Sequence, residues 1–155
     1  MIGFSKPRSK YAIGSYLIRF FLKTSFSHTY IRFMGQDRSF IYEAVGKSGT
    51  RFISSANWLN NAVIVKEYSI DLDDLNYRKL RNYCMDHAGI DYGFLQNIGV
   101  VISKVLKLKT NWFKKGKNCS EAVAEALINQ GFTINKTPDL ITPKDIYNLL
   151  SKYNN

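Results

Sequence analysis

Proline, cysteine, histidine and acidic residues are all scarce in this chain of 155 residues, and each scarcity narrows what it can be. Pro7, Pro138 and Pro143 are the only prolines, which leaves the middle of the chain free for uninterrupted strands and helices. No linker rich in Pro, Gly or Ser divides it, so one domain over 1–155 is expected. Two cysteines, Cys84 and Cys119, are too few for a disulfide framework and point to a reducing compartment. Acidic residues number 12 against 22 Lys and Arg, a net charge of +10. Such a bias favours anionic surroundings such as nucleic acid, anionic lipid or an acidic polymer, and is silent on fold.

Long apolar runs are also missing. "NIGVVISKVLKLK" comes nearest to a membrane span and is soon broken by lysines. The basic N-terminus "MIGFSKPRSKY" leads into "AIGSYLIRFFL", but Arg19 interrupts that stretch and no small-residue cleavage site follows. The expectation is a protein soluble at synthesis, cytoplasmic or delivered with a virion or into a host.

What is present reads as strands first and helices later. "IGFSK" opens as a short strand, and "KYAIGSYLIRFFLKT" places Ile13, Leu17, Ile18, Phe21 and Leu22 on one helical face. "HTYIRFM", "SFIYEAVG" and "GTRFIS" form an antiparallel meander, with Gly46-Lys47-Ser48-Gly49 as a turn. A short helix at "SANWLNN" and a strand at "AVIVKEYSI" follow. Helices are then expected at "DLNYRKLRNYCMDHA", capped by Asp71 or Asp73 and ended by Gly89, and at "FLQNIGVVISKVLKL". "SEAVAEALINQ", stopped by Gly131, and "TPKDIYNLLSKY", with Thr142 as cap and Pro143 in first position, complete the set. The order points to an α+β fold, an antiparallel meander or barrel-like sheet packed against helices.

"GKNCSEAVAEAL" carries the chemistry. Cys119 stands at the first turn of an amphipathic helix, with Asn118 as a candidate cap. The positive end of the helix dipole and its unpaired N–H groups favour a thiolate there, and Lys117 pushes the same way. The same N–H groups can hold an oxyanion formed when a thiolate attacks a carbonyl. Such a thiolate needs an imidazole, and the imidazole needs an orienting group. His28 lies on one strand and Glu43 on the next, and antiparallel pairing brings side chains on one face within hydrogen-bond reach. Taken singly, each has a plainer role: a core thiol, a packed imidazole, a solvated strand carboxylate. Their combination on these elements is what points to catalysis.

"SHTYI" at 27–31, "IYEA" at 41–44 and "CSEAV" at 119–123 resemble, in order, the three motifs of the circularly permuted papain-like amidases of the NlpC type. "GIDYGFL" at 89–95 and "ITPKDIY" at 141–147 are softer echoes of the same family. The resemblance spans nearly the whole chain. It implies a permuted papain-like fold and a thiol hydrolase with Cys119 as nucleophile, His28 as base and Glu43 as orienting residue, needing no metal or other cofactor. A small or β-branched residue and then glycine are common after the histidine; here Thr29 and Tyr30 fill those places, and Tyr30 would narrow or polarise the cleft. Asn118 stands where an aromatic residue is common. Tyr92, Trp112 and Lys117 are the further candidates for substrate contact.

Two features invite other readings. Cys84 and His87 lie three apart on one helix, but two ligands do not make a zinc site, and Tyr77, Leu80, Cys84 and Ala88 recur at core-facing spacing. Lys104, Lys107, Lys109, Lys114, Lys115 and Lys117 surround Trp112 and Phe113, a pattern suited to nucleic acid, a membrane surface or a solvated loop at a cleft wall. The expected function is cleavage of an amide, a peptide or a cell-wall peptide cross-link, through an acyl-enzyme. A lipid-directed thiol acyltransferase or esterase, or a catalytically silent basic module binding nucleic acid or an anionic surface, are the alternatives.

Overall fold

A computed structural model describes residues 1–46, 48–93 and 116–153. Five strands form one antiparallel sheet: β1 (Ile2–Pro7), β2 (His28–Met34), β3 (Ser39–Val45), β4 (Gly49–Ser54) and β5 (Ala62–Tyr68), in the order β4-β3-β2-β1-β5. The helices are α1 (Ile13–Leu22), α2 (Ser55–Leu59), α3 (Asp74–Asp86), α4 (Cys119–Asn129) and α5 (Pro143–Tyr153). The α+β class is therefore as expected, and the sheet is open. The opening strand takes a place that no local signal announces, paired with β2 on one side and β5 on the other.

The two faces of the sheet carry separate cores, as the period of two along each strand requires. Ile31, Phe33, Tyr42 and Ala44 point one way and pack with Leu80 and Cys84 of α3, Val123 and Leu127 of α4, and Ile146 and Leu150 of α5. Tyr30 and Ile41 point the other way, where Trp58 of α2 and Ala62 cover them. On α4, Ala122, Ala124 and Ala126 are fully or almost fully buried, and such small side chains let the helix lie close against β2 and β3.

Local chemistry sets the helix ends. Asp73, not Asp71, caps α3 by accepting the Asn76 N–H at 2.7 Å. Thr142 caps α5 reciprocally with Asp145, whose carboxylate accepts the Thr142 N–H at 2.9 Å. Cys84 and Leu80 lie in the core as expected, whereas Ala88 falls beyond the end of α3 and is exposed. α1 departs most from its expected packing. Of its apolar face Leu22 is buried, while Ile13, Leu17 and Phe21 are exposed. The helix foreseen at "FLQNIGVVISKVLKL", the turn residue Lys47, and Lys104, Lys107, Lys109, Trp112, Phe113, Lys114 and Lys115 lie outside the described residues.

Candidate active site

β3 and β4 are joined by so short a turn that their register is dictated: Val45 pairs with Gly49, Ala44 with Thr50, and Glu43 with Arg51. Glu43 and His28 share one face of neighbouring strands. The Glu43 side chain is 2% exposed, yet every lone pair it turns inward is met. Oε2 accepts from His28 Nε2 at 2.9 Å and from Trp58 Nε1 at 2.7 Å. Oε1 accepts from Arg51 Nε at 3.1 Å and Nη2 at 2.8 Å. Burial works to raise the carboxyl pKa, but these donors outweigh it and hold it down at about 2. Glu43 is thus ionised and acts as an acceptor alone, which places a proton on His28 Nε2.

With Nε2 committed to Glu43, Nδ1 is the ring nitrogen left to face the Cys119 sulfur, with which the imidazole is in hydrogen-bonding and electrostatic contact. Burial disfavours the imidazolium, but the Cys119 thiolate and the Glu43 carboxylate more than offset this and raise the His28 pKa to about 10. Burial likewise disfavours the Cys119 thiolate. The imidazolium, the backbone N–H of Thr29 and the Ser120 hydroxyl, whose Oγ is 3.9 Å from Sγ, outweigh it and lower the thiol pKa. The two groups therefore form a buried thiolate–imidazolium pair. Cys84, lacking such partners, has its thiol pushed up by burial.

Cys119 owes its place to the start of α4. Asn118 caps that helix with a capping box: its side chain accepts the Glu121 N–H at 2.9 Å, and Glu121 accepts the Asn118 N–H at 3.3 Å. With the Glu121 N–H taken by the cap, helix geometry leaves the N–H groups of Cys119 and Ser120 at the start of α4 without intrahelical acceptors. Upstream, Lys117 donates its N–H to Asp91 at 2.9 Å and accepts from Gly93 at 3.2 Å, a short parallel bridge beside Tyr92. Gly116 permits it. Its φ is +84°, and a Cβ there would come within 2.6 Å of the backbone of 91–93.

The remaining candidates take varied places. Tyr30 is fully buried; its hydroxyl donates to Glu67 at 2.8 Å and its ring packs on Trp58 at 4.5 Å between centroids. It is a piece of the core under α2, not the cleft wall expected of it. The Lys117 ammonium pairs with Glu125 one side of α4 rather than standing free toward a substrate. Tyr92 is half-buried beside the bridge that leads into Cys119. Trp112 lies outside the described residues. His87 stacks on Tyr83 at 4.0 Å and its Nδ1 is 2.8 Å from the Tyr83 carbonyl, so it faces away from any shared site with Cys84. Among the described residues no group of three or more potential ligands is placed to hold a metal.

Arg51 and Trp58 are the site residues that sequence reasoning missed. A signal existed for Arg51, because the pairing of Val45 with Gly49, close in the chain, sets it opposite Glu43. For Trp58 none did, since its contact depends on how α2 folds back over the sheet. In comparisons with known proteins, no family model and no curated protein matches the chain.

Proposed function

We propose that the protein is a cysteine hydrolase of the circularly permuted papain-like, NlpC type, which cleaves an amide through a covalent acyl-enzyme. The observation that supports it most directly is that the His28 ring meets the Glu43 carboxylate and interacts with Cys119, with the thiol at a helix N-terminus and the carboxylate ionised. The Cys119 thiolate attacks the substrate carbonyl carbon, and the C–S bond forms as the carbonyl oxygen takes the negative charge. First-turn N–H groups of α4 are suited to hold that oxyanion. The His28 imidazolium gives its Nδ1 proton to the amine nitrogen as the C–N bond breaks. The neutral imidazole then takes a proton from water, whose oxygen attacks the thioester and releases the carboxylic acid and the thiol group. Glu43 holds the ring and offsets its positive charge throughout, as an orienting acid does.

A peptide, or a peptide cross-link of a cell wall, is the substrate class proposed. A thiol acyltransferase or esterase acting on lipid would use the same attack and the same acyl-thioester. The test is to offer an activated ester and a peptide amide and to weigh the intact protein at short times. An acyl adduct mapping to Cys119, lost in Cys119→Ser and slowed in His28→Ala, is expected. Hydrolysis that persists in Cys119→Ser, or an adduct confined to other residues, defeats the reading.

A further inference from the structure

α1 is mounted with its polar side inward and its apolar side out. Ser15 on the inner side meets Ser27 through their hydroxyls at 2.5 Å, Leu22 is buried, and Lys144 Nζ donates to the Leu22 carbonyl at 2.9 Å. The outer side presents Ile13 at 74% exposure and Phe20 at 65%, with Tyr16, Leu17 and Phe21 between them. These positions follow helical spacing, so they form one continuous stripe. Tyr16 and Phe20 stack, and Phe20 meets Phe21 edge-on at 5.6 Å, which makes a shared apolar surface out of neighbouring rings. Monomeric proteins seldom leave such a surface uncovered.

Charge identifies what covers it. Lys6, Arg8, Lys10, Arg19, Lys23 and Arg32 all precede Asp37, the first acidic residue of the chain. Of these, Lys10 and Lys23 are exposed and flank α1 in the chain, one before its start and one at its C-terminal cap, while the exposed Arg8 donates to the Leu59 carbonyl at 3.2 Å. A second copy of the chain would bring the same cationic ends and be repelled. Nucleic acid needs cations along the contact, and here the contact itself is aliphatic and aromatic. An apolar face framed by cations at its ends matches an anionic lipid surface, where rings enter the headgroup–acyl boundary and ammonium and guanidinium groups reach the phosphates.

We propose that the exposed face of α1 docks the protein on an anionic lipid surface, the helix lying in the plane of the interface. No helix among the described residues is long and apolar enough to cross a membrane. The Ser15–Ser27 contact anchors α1 one residue from His28, so docking sets the strand that carries the imidazole beside the lipid. This surface is independent of whether Cys119 turns over substrate.

Flotation of the full chain with vesicles tests it, using phosphatidylcholine alone against phosphatidylcholine with about 30 mol% phosphatidylserine. Wild type should float with the anionic vesicles and not the neutral ones, and added salt should weaken the binding. Phe20→Ser with Phe21→Ser should lower the bound fraction by about tenfold or more, as expected when two rings leave the interface. Lys10→Glu with Lys23→Glu should also lower it and flatten the salt dependence. Unchanged circular dichroism and Cys119 alkylation would show that each variant keeps its fold and its thiol site. If the double phenylalanine variant misfolds, Ile13→Ser with Leu17→Ser carries the same comparison. The proposal is overturned if wild type stays with neither vesicle, or if the folded variants bind as wild type does. A wild-type dimer that the serine variants dissolve would overturn it equally, assigning the stripe to a second copy.

Discussion

Nε2 of His28 lies 2.9 Å from Oε2 of Glu43, a carboxylate that at the same time accepts from Trp58 and Arg51. One buried acid therefore does three things: it selects the imidazole tautomer, fixes the ring, and joins β2, β3, β4 and α2 through a single group.

The first consequence is a thiol that reacts below neutrality. The Cys119 pKa is lowered and that of His28 raised, so the ion pair holds between the two values and ends as pH rises through about 10. An ordinary thiol is only about 3% thiolate at pH 7. Cys119 should alkylate with iodoacetamide already below pH 7, where an ordinary thiol reacts slowly, and well ahead of Cys84, whose thiol is buried and shifted up. In His28→Ala the rate near pH 6 should drop about tenfold or more, since the thiolate loses its cationic partner. Peptide mapping by mass spectrometry separates the two cysteines. A Cys119 that titrates like a free thiol in wild type contradicts the ion pair.

Acid stability should depend on Glu43. Its pKa is lowered from 4.5 to about 2, so the stability it supplies is complete above pH 4.5 and lost as pH falls toward 2. The amount is on the order of 3 kcal/mol. Glu43→Gln should be less stable at pH 7 and should show a flatter stability profile between pH 5 and 2 than wild type, measured by urea titration at each pH. Parallel profiles for the two proteins would remove Glu43 from the explanation.

Trp58 acts on the imidazole through Glu43 rather than by touching the thiol. Trp58→Phe keeps a ring against Tyr30 but removes the N–H that reaches Oε2. A loss of about 1–3 kcal/mol is expected for the missing charge-assisted bond. The carboxylate would then hold its proton more readily, so the acid limb of the stability profile should move to higher pH. Trp58→Phe should also slow Cys119 alkylation less than His28→Ala does. Equal losses of reactivity would mean that Trp58 contributes more than orientation.

Gly116→Ala tests the route into α4. At φ +84° an alanine is strained, and its Cβ would meet the backbone of Asp91, Tyr92 and Gly93 at 2.6 Å. Destabilisation of about 1–3 kcal/mol is expected, together with slower Cys119 alkylation as the helix start shifts. Gly131→Ala is the contrast, because that glycine also has positive φ but a Cβ there meets nothing within 4 Å. It should cost stability through its backbone alone and leave the thiol's reactivity as it was.

Much of the framework is written locally. Asn118 with Glu121, Asp73 with Asn76, and Thr142 with Asp145 set helix starts through contacts three residues apart, which a sequence displays directly. The short connection from Val45 to Gly49 sets the β3–β4 register, and alternation puts His28 and Glu43 on a common face, so the imidazole–carboxylate half of the site was legible in advance. The packing of Cys84 was legible too, from its helical spacing. Tertiary structure decided the rest. That the start of α4 reaches the start of β2 depends on the packing of an alanine-rich helix against the sheet, as does the cover of Glu43 by Trp58. α1 shows the limit most clearly: its periodicity reveals an apolar stripe, but a stripe is the same whether it faces a core or a solvent-exposed interface. Ser15, Leu22 and Lys144 turned it outward, and contacts between residues as distant as Leu22 and Lys144 leave no trace in local spacing. Short-range geometry settles which elements form, while long-range packing settles which of their faces meet.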